Sequence, residues 1–148
     1  MYKKIIPDIV QRLNIAAVSV NDTAYECAKV MAHDHIAALV VENDNGILIG
    51  IITERDLTQR VLAAGLDGKK TKVGDVMTSN PDVLSPNASA MDALELMQSR
   101  GYRHLPIAEN GKCISIVSIR DIYASVKEAL EQDIKEKEAF VFGDRYGA

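Results

Sequence analysis

The chain has little of what would tie it to nucleic acid, to a membrane or to an oxidising compartment. Its 148 residues carry a net charge of -4, so it lacks the basic excess that favours nucleic acid or anionic lipid. No run of roughly 18 apolar residues occurs, so we expect no membrane-spanning helix. Pro7 and Asp8 interrupt the first apolar stretch too early for a signal peptide. We therefore expect a cytoplasmic protein without nucleic-acid or membrane partners.

Cysteine is equally scarce, and no arrangement of residues marks a catalytic or metal centre. Cys27 and Cys113 form no close-spaced pair, so we expect buried structural thiols rather than a disulfide framework. His33 and His35 stand two positions apart near a helix end and need not face each other, and no third metal ligand has a recognised spacing. Without a Walker loop, a dinucleotide fingerprint or a nucleophile with its base, the sequence indicates no enzyme.

What the sequence does contain is an internal repeat. Residues 50–57 (GIITERDL) match residues 115–122 (SIVSIRDI), so that Thr53 corresponds to Ser118. The turn between the two central strands is shorter in the second copy, and a turn is where a deletion is cheapest. Because 47% of the residues are hydrophobic, two copies of one supersecondary unit can share a sizeable core.

Each copy has the pattern of a strand, a helix, two strands and a closing helix. Apolar runs joined by an Asn/Asp/Gly turn predict a hairpin, and Thr23-x-x-Glu26 has the form of a capping box. The predicted strands are 16–20, 38–41 and 47–52, then 83–85, 105–108 and 113–117, and the closing helices are 54–64 and 119 to about 139. The predicted divisions are a first repeat at 1–66, a second repeat at 67–130 with a linker at 65–72, and a charged helix extension with an aromatic tail at 131–148 that either docks on a partner subunit or frays.

Three short motifs resemble the cystathionine-β-synthase (CBS) repeat. Each copy ends in Gly/Ser, two hydrophobic residues, Thr/Ser, two further residues, Asp and a hydrophobic residue. Residues 75–78 (DVMT), followed by Pro81 and Val83, resemble the opening of a CBS repeat, and residues 101–107 (GYRHLPI) resemble its turn into the second strand. Over roughly residues 5–130 the chain is therefore similar to a tandem CBS pair, or Bateman module. The resemblance implies an α+β fold of two repeats related by a pseudo-twofold axis.

The strand-to-helix junction of each copy carries groups suited to a nucleotide. Thr53 and Ser118 stand where backbone N–H groups are unpaired and the helix dipole is positive, which favours a phosphate. Asp56 and Asp121 lie one helical turn further on, and a carboxylate can accept hydrogen bonds from the two vicinal hydroxyls of a ribose. The same Thr/Ser-x-x-Asp spacing also fits a plain capping box, and the two interpretations are compatible.

The two copies differ in the positive charge near these junctions. Arg55 and Arg120 occupy the same place in both, between the hydroxyl and the acid, where they can offset phosphate charge. Arg103 and His104 precede a strand of the second copy, where the first copy has two alanines. The family resemblance implies that basic residues at these positions contact ligand phosphates. The second copy is therefore expected to be the better phosphate-binding site. Ser115 replaces the glycine of the first copy and is expected to narrow the approach of a ligand to the backbone.

The CBS resemblance implies a regulatory sensor that binds an adenine-containing nucleotide and uses no catalytic cofactor. AMP, ADP and ATP are the expected ligands, with NAD or S-adenosylmethionine as alternatives. The ligand would favour one relative orientation of the two copies, and an effector protein still unknown, or the oligomer, would sense that orientation. The candidate ligand-binding residues are Ser118, Arg120, Asp121, Arg103, His104, Thr53, Arg55 and Asp56.

The resemblance also implies a homodimer. The closing helices carry apolar stripes, part of which must cover the helix's own sheet while the rest packs against a second module. These stripes are Leu57, Val61 and Ala64 in the first copy and Ile122, Val126 and Leu130 in the second. Two other functions remain open: a structural dimerisation module with empty clefts and, less favoured, an enzyme acting on nucleotides.

Overall fold

A computed structural model describes residues 3–13 and 15–146 of the chain. It contains the helix, hairpin and closing helix of the expected repeat twice, preceded by a short turn at Ile5–Ile9. The first repeat comprises β1 (Ala17–Val18), α1 (Ala24–Asp34), β2 (Ala38–Glu42), β3 (Leu48–Thr53) and α2 (Glu54–Asp56), which continues as a π-helical segment at Leu57–Leu62. The connection and the second repeat comprise α3 (Val73–Val76), β4 (Thr78–Ser79), α4 (Ala90–Arg100), β5 (His104–Glu109), β6 (Lys112–Ser118) and α5 (Ile119–Tyr146).

Complete capping boxes start the first helix of each repeat. The Thr23 hydroxyl accepts the N–H of Glu26 at 3.1 Å, and the Glu26 carboxylate accepts the N–H of Thr23 at 3.5 Å. Ser89 and Asp92 make the same reciprocal bonds at 3.1 and 2.9 Å before α4. Two otherwise orphaned N–H groups are thereby satisfied at each helix start, which fixes where the helix begins.

Each repeat is built around an antiparallel hairpin. In the first repeat β2 pairs with β3, β1 adds to β2 in parallel, and β4 adds to the far edge of β3. In the second repeat β5 pairs with β6, and the predicted opening strand at 83–85 is reduced to one parallel bridge between Leu84 and Ile107. That bridge corresponds to the pairing of Val18 with Val41, so the repeat symmetry holds even where the strand is lost.

The segment that leads into each repeat packs against the other repeat. At the start of the chain, the N–H of Ile5 donates to the carbonyl of Ala88 in the second repeat at 2.9 Å. In the connection, the N–H of Val73 donates to the carbonyl of Asp22 in the first repeat at 2.8 Å. This reciprocal exchange relates the repeats by an approximate two-fold axis and ties them into one unit.

Two hydrophobic cores follow from this exchange, one under each sheet. Val73 and Val76 of α3 are buried in the core of the first repeat, and Ile5 is buried in the core of the second. The first core contains Ala24, Cys27, Met31, Leu39, Val41, Ile52, Val61, Val73 and Val76. The second contains Ile5, Leu84, Ala93, Met97, Leu105, Ile107, Val117 and Ile122.

The last helix is longer than the sequence predicted. It continues past the expected end near residue 139 to Tyr146, so the aromatic segment is helical rather than a separate tail. Phe140 and Val141 within it are 70% and 57% exposed. Among the described residues, no helix combines the length and the apolar character that crossing a membrane would require.

Candidate functional site

One large cleft, of about 1530 Å³, is lined by residues of both repeats. The ends of β3 and β6, the starts of α2 and α5 and the start of β5 contribute to its wall. Side chains alternate along each strand, so Ile51 and Thr53 line the cleft while Ile52 between them is buried in the core. All eight residues that the sequence singled out line this cleft. Their contact with a ligand stays a prediction.

The second-repeat junction is fixed by the pairing of β5 with β6. His104, the first residue of β5, stands directly opposite Ser118, the last residue of β6. The carbonyl of Arg103 accepts the N–H of Ile119 at 2.8 Å, which anchors the first turn of α5 to the start of β5. The hairpin therefore brings Arg103 and His104 next to Ser118, although they are distant in sequence.

The Ser-x-x-Asp motif of the second repeat caps α5. The Ser118 hydroxyl accepts the N–H of Asp121 at 3.1 Å, and Oδ2 of Asp121 accepts the N–H of Ser118 at 2.8 Å. The predicted capping role is thus confirmed. A carboxylate has about four acceptor positions, and the cap uses one of them, so Asp121 retains acceptor capacity at the cleft wall. In the described part of the chain Oδ1 of Asp121 has no hydrogen-bond or ion-pair partner.

The first repeat has the same junction with a different surrounding. Thr53 and Asp56 make the reciprocal capping bonds at 3.2 and 3.0 Å. Ala38 is opposite Thr53 in the hairpin, so no basic side chain stands where the second repeat has His104. Nε of Arg60 lies 3.7 Å from Oδ1 of Asp56, and Asp56 is 9% exposed. The two junction aspartates therefore differ in their exposure to solvent and in the charged side chains around them.

Positive charge in the cleft is concentrated in a few unpaired side chains. The lining includes five arginines and five carboxylates, although the whole chain is acidic. Arg60 and Arg100 are paired with Asp56 and Asp82, at 3.7 and 3.8 Å. The other three lining arginines are Arg55, Arg103 and Arg120, and among the described residues they form no ion pair.

His104 is partly buried in the cleft wall. Burial lowers the pKa of its imidazole, and the neighbouring Arg103 acts in the same direction. The carboxylates of Asp121 and Glu54, one from each repeat, oppose this shift and raise the pKa of His104. Desolvation prevails, so the free protein holds this histidine neutral at pH 7.

Comparison with known proteins agrees with this fold. The family model of the CBS domain matches residues 7–63 and 73–128. The chain belongs to the CBS-domain family. It is 32% identical over 127 residues to the CBS domain-containing protein CBSX3, mitochondrial, of Arabidopsis thaliana, covering 83% of this chain and 62% of that one.

Other comparisons give the same result. CBSCBSPB1 of Arabidopsis thaliana is 35% identical over 130 residues, which cover 83% of this chain and 24% of that protein. The chain thus spans less than two thirds of the length of these relatives. A solved CBS-domain structure from Burkholderia ambifaria MC40-6 superposes with a TM-score of 0.72 at 36% identity, covering 76% of this chain and 82% of that one.

Within the CBS pair, several other expectations can be compared with the structure. Ser115 does not line the cleft; it is buried, and its hydroxyl donates to the carbonyl of Gln11 at 2.9 Å. The expectation that Ser115 narrows the approach of a ligand to the backbone is therefore wrong. A side chain at the matching Gly50 would meet Met77, since its Cβ would lie 2.5 Å from Met77 Sδ. Gly50 leaves room for Met77, and Ser115 forms a hydrogen bond with Gln11.

The cysteines and histidines occupy different environments. Cys27 is fully buried, and burial raises the pKa of its thiol to about 11, with Asp22 and Glu26 adding to the effect. Cys113 is only partly buried, so the expectation of two buried thiols holds for one of them. His33 is exposed, and its Nδ1 lies 2.8 Å from Oδ1 of Asp34. No group of three or more potential metal ligands is found in the part of the chain that the structure describes.

Sequence reasoning did not identify several residues of the cleft. Arg60 is the most informative of them, and its place one helical turn after Asp56 was a usable signal for their pairing. Its second set of contacts, with the carbonyls of Val76 and Met77, could not be foreseen from local spacing. The other polar residues of the lining that were not predicted are Asp34, His35, Glu54, Gln59, Thr78, Asp82, Arg100 and Tyr102.

Proposed function

We propose that this CBS pair is a regulatory module that binds an adenine-containing nucleotide in the cleft, chiefly through the second repeat. The observation that carries the proposal is the partly exposed carboxylate of Asp121, whose Oδ1 has no partner among the described residues and which lines the same cleft as Arg103 and Arg120. A ribose presents two vicinal hydroxyls, and Asp121 accepts both of them. The expected ligands are AMP, ADP or ATP, with NAD and S-adenosylmethionine as alternatives.

The phosphates face the positive side chains of the same repeat. Arg103 and Arg120 are exposed and free of ion pairs among the described residues, and His104 lies opposite Ser118. Hydrogen bonds between charged groups and phosphate are typically worth about 1.5–3 kcal/mol each, so several of them contribute substantially to the affinity. An overall acidic chain can hold an anion here because these cations act at short range.

The signal is a change in the relative orientation of the repeats. Residues from both repeats line the cleft, so a bound nucleotide contacts both and favours the orientation in which those contacts form. An effector protein, or a second module in a homodimer, senses the change. The exposed Val126 and Leu130 on α5 offer an apolar face for that second module.

Matched aspartate variants test the assignment. Asp121→Asn keeps the shape of the side chain and one acceptor oxygen for the cap, but it removes the charge and an acceptor that the ribose requires. We expect AMP affinity to fall about tenfold or more, equivalent to roughly 1.4 kcal/mol. Asp56→Asn is the control and should leave affinity nearly unchanged. Isothermal titration calorimetry gives the affinities, and unliganded melting temperatures verify that each variant is folded.

Two outcomes would contradict this proposal. If Asp56→Asn abolishes binding and Asp121→Asn does not, the nucleotide occupies the first repeat instead. If neither variant alters the affinity, the ligand does not use the junction carboxylates.

A second candidate function is an assembly module whose cleft stays empty. The apolar side chains exposed along α5, among them Leu130 and Ile134 at 58% and 55%, favour association with another chain. Heat or acid treatment of the purified protein, followed by chromatography of the supernatant, separates the two functions. Release of a nucleotide supports the sensor. If none is released and no nucleotide raises the melting temperature at millimolar concentration, the assembly module is the better description.

A further inference from the structure

Arg60 differs from its counterpart in the second repeat in a way that affects the number of nucleotide sites. It follows Asp56 by one helical turn, and its Nε lies 3.7 Å from Oδ1 of that aspartate. At the offset that relates Thr53 to Ser118, the position of Arg60 is taken by Ser125, which is buried and carries no charge. Asp121 therefore has no cation at the corresponding place on its own helix.

Arg60 is held in place by more than the aspartate. Its Nη1 donates to the carbonyl of Val76 at 3.0 Å and to that of Met77 at 2.9 Å, where α3 ends. The last carbonyls of a helix have no partner within the helix, so Arg60 satisfies groups that would otherwise lack a protein donor. An exposed ion pair alone is weak, but a guanidinium fixed by two carbonyls stays beside the carboxylate.

Each oxygen of the Asp56 carboxylate therefore has a partner within the protein. Oδ2 accepts the N–H of Thr53 at 3.0 Å in the cap, and Oδ1 faces the guanidinium of Arg60. The residue is 9% exposed, so a ribose would have to displace Arg60 before it could reach Oδ1. In the second repeat Asp121 is partly exposed, and its Oδ1 has no partner in the described part of the chain.

We propose that Arg60 closes the first-repeat junction to nucleotides, so that each chain binds one nucleotide at the second repeat rather than one at each. This inference rests on the proposed function, because it presumes that the junction carboxylates hold ribose. Arg60 then determines the stoichiometry of the module. Replacing it with the serine of the second repeat uncovers Asp56 and creates a second, weaker site. The new site is weaker because Ala37 and Ala38 lack the phosphate-binding side chains of Arg103 and His104.

Calorimetric titration with AMP measures the number of sites directly. We expect one AMP per chain for the wild type and two for Arg60→Ser, the second with an affinity about tenfold or more below the first. Arg12→Ser is the matched control, because it also removes an arginine paired with a carboxylate, that of Glu109 at 3.0 Å, but one outside the lining of the cleft, and it should still bind one AMP. Adding Asp56→Asn to Arg60→Ser should return the stoichiometry to one.

Loss of the hydrogen bonds from Arg60 to the end of α3 could unfold the protein, so a second variant that retains one of these bonds is needed. The amide of Arg60→Gln can still donate to a carbonyl at the end of α3, but it carries no charge to hold Asp56, so it should also bind two AMP. If both variants are folded and bind one AMP, the inference is wrong and the proposed function stands. If the wild type already binds two, the inference is again wrong while nucleotide binding is confirmed. If the wild type binds none of the adenine ligands, the proposed function fails, and the inference fails with it.

Discussion

Each junction aspartate uses one carboxylate oxygen for the helix cap, and the repeats differ in what surrounds the other oxygen. In the first repeat that oxygen faces Arg60, whereas in the second it has no partner among the described residues. The cap and the candidate ligand contact are therefore compatible uses of one side chain. A change at either aspartate alters both, so affinity and melting temperature have to be measured together.

A pH-dependent stability is expected from His104. Its pKa is lowered in the folded protein, chiefly by burial, whereas in the unfolded chain it titrates near 6.5. Between the folded pKa and about 6.5 the unfolded state binds more protons. The contribution of neutral His104 to the free energy of unfolding is therefore complete above pH 6.5. It is lost as the pH falls towards the pKa that His104 has in the folded protein.

Thermal denaturation of the wild type and of His104→Ala between pH 5 and pH 8 measures this contribution. The melting temperature of the wild type should fall more steeply on acidification than that of the variant. His33 and His35 are present in both proteins, so their titration cancels in the comparison. Parallel pH profiles would show that His104 has the same pKa in the folded and unfolded states.

At the scale of the elements, polar caps mark where helices begin. All four caps described above pair a hydroxyl with a carboxylate three residues later, which satisfies two backbone N–H groups each time. The two caps at the cleft also line the proposed ligand site, whereas those of Thr23 and Ser89 lie outside its lining. The first helices thus offer a test of capping that leaves the site untouched.

Thr23→Ala should destabilise the protein by about 1 kcal/mol, within the range of 0.5–2 kcal/mol typical of a lost N-cap. The bond from the N–H of Glu26 to the hydroxyl is lost, and that N–H keeps no partner within the helix. Thr23→Ser retains the hydroxyl and serves as the control. Urea denaturation measures both free energies of unfolding, and equal values for the two variants would mean that the cap does not stabilise α1.

For the whole molecule, the exchange of leading segments makes the two repeats interdependent. Division of the chain between residues 66 and 67 would take Val73 and Val76 from the first core and Ile5 from the second. That predicted division stays untested, but neither half would keep its complete core. The exchange also connects the cleft to the first core, since Arg60 contacts the end of α3, where Val76 is buried in that core.

Association with a second copy is expected to depend on the exposed face of α5. Leu130→Glu places a carboxylate among the exposed apolar residues of that helix, and burial of an unpaired charge in an interface is costly. We expect a dimer at micromolar concentration for the wild type and a shift towards monomer for this variant. Sedimentation velocity, with and without AMP, measures the change.

Val83→Glu is the matched control for this substitution. It introduces the same charge at an apolar residue that is 45% exposed but lies outside the closing helices, and it should remain dimeric. A monomeric wild type, or equal effects of the two substitutions, would mean that α5 is not the dimer interface.

The sequence by itself determined the repeat, both hairpins and the caps, because these depend on interactions between residues close along the chain. Apolar runs on either side of an Asn/Gly turn are sufficient to specify a hairpin, and a Ser-x-x-Asp spacing is sufficient to specify a cap. Six of the eight candidate site residues could be named for the same reason, since four of them form these caps and Arg55 and Arg120 lie between the capping residues. Arg103 and His104 followed from the contrast between the two copies and the family resemblance.

Only the tertiary structure decided which segment covers which core and how the two junctions differ. The pairing of Ile5 with Ala88, of Ser115 with Gln11 and of Arg60 with the end of α3 joins residues whose sequence separation carries no periodic signal. The full length of α5 was missed because its last turns lack a regular apolar pattern. Such contacts arise when two repeats pack together and each buried polar group takes the partner that the fold brings within reach.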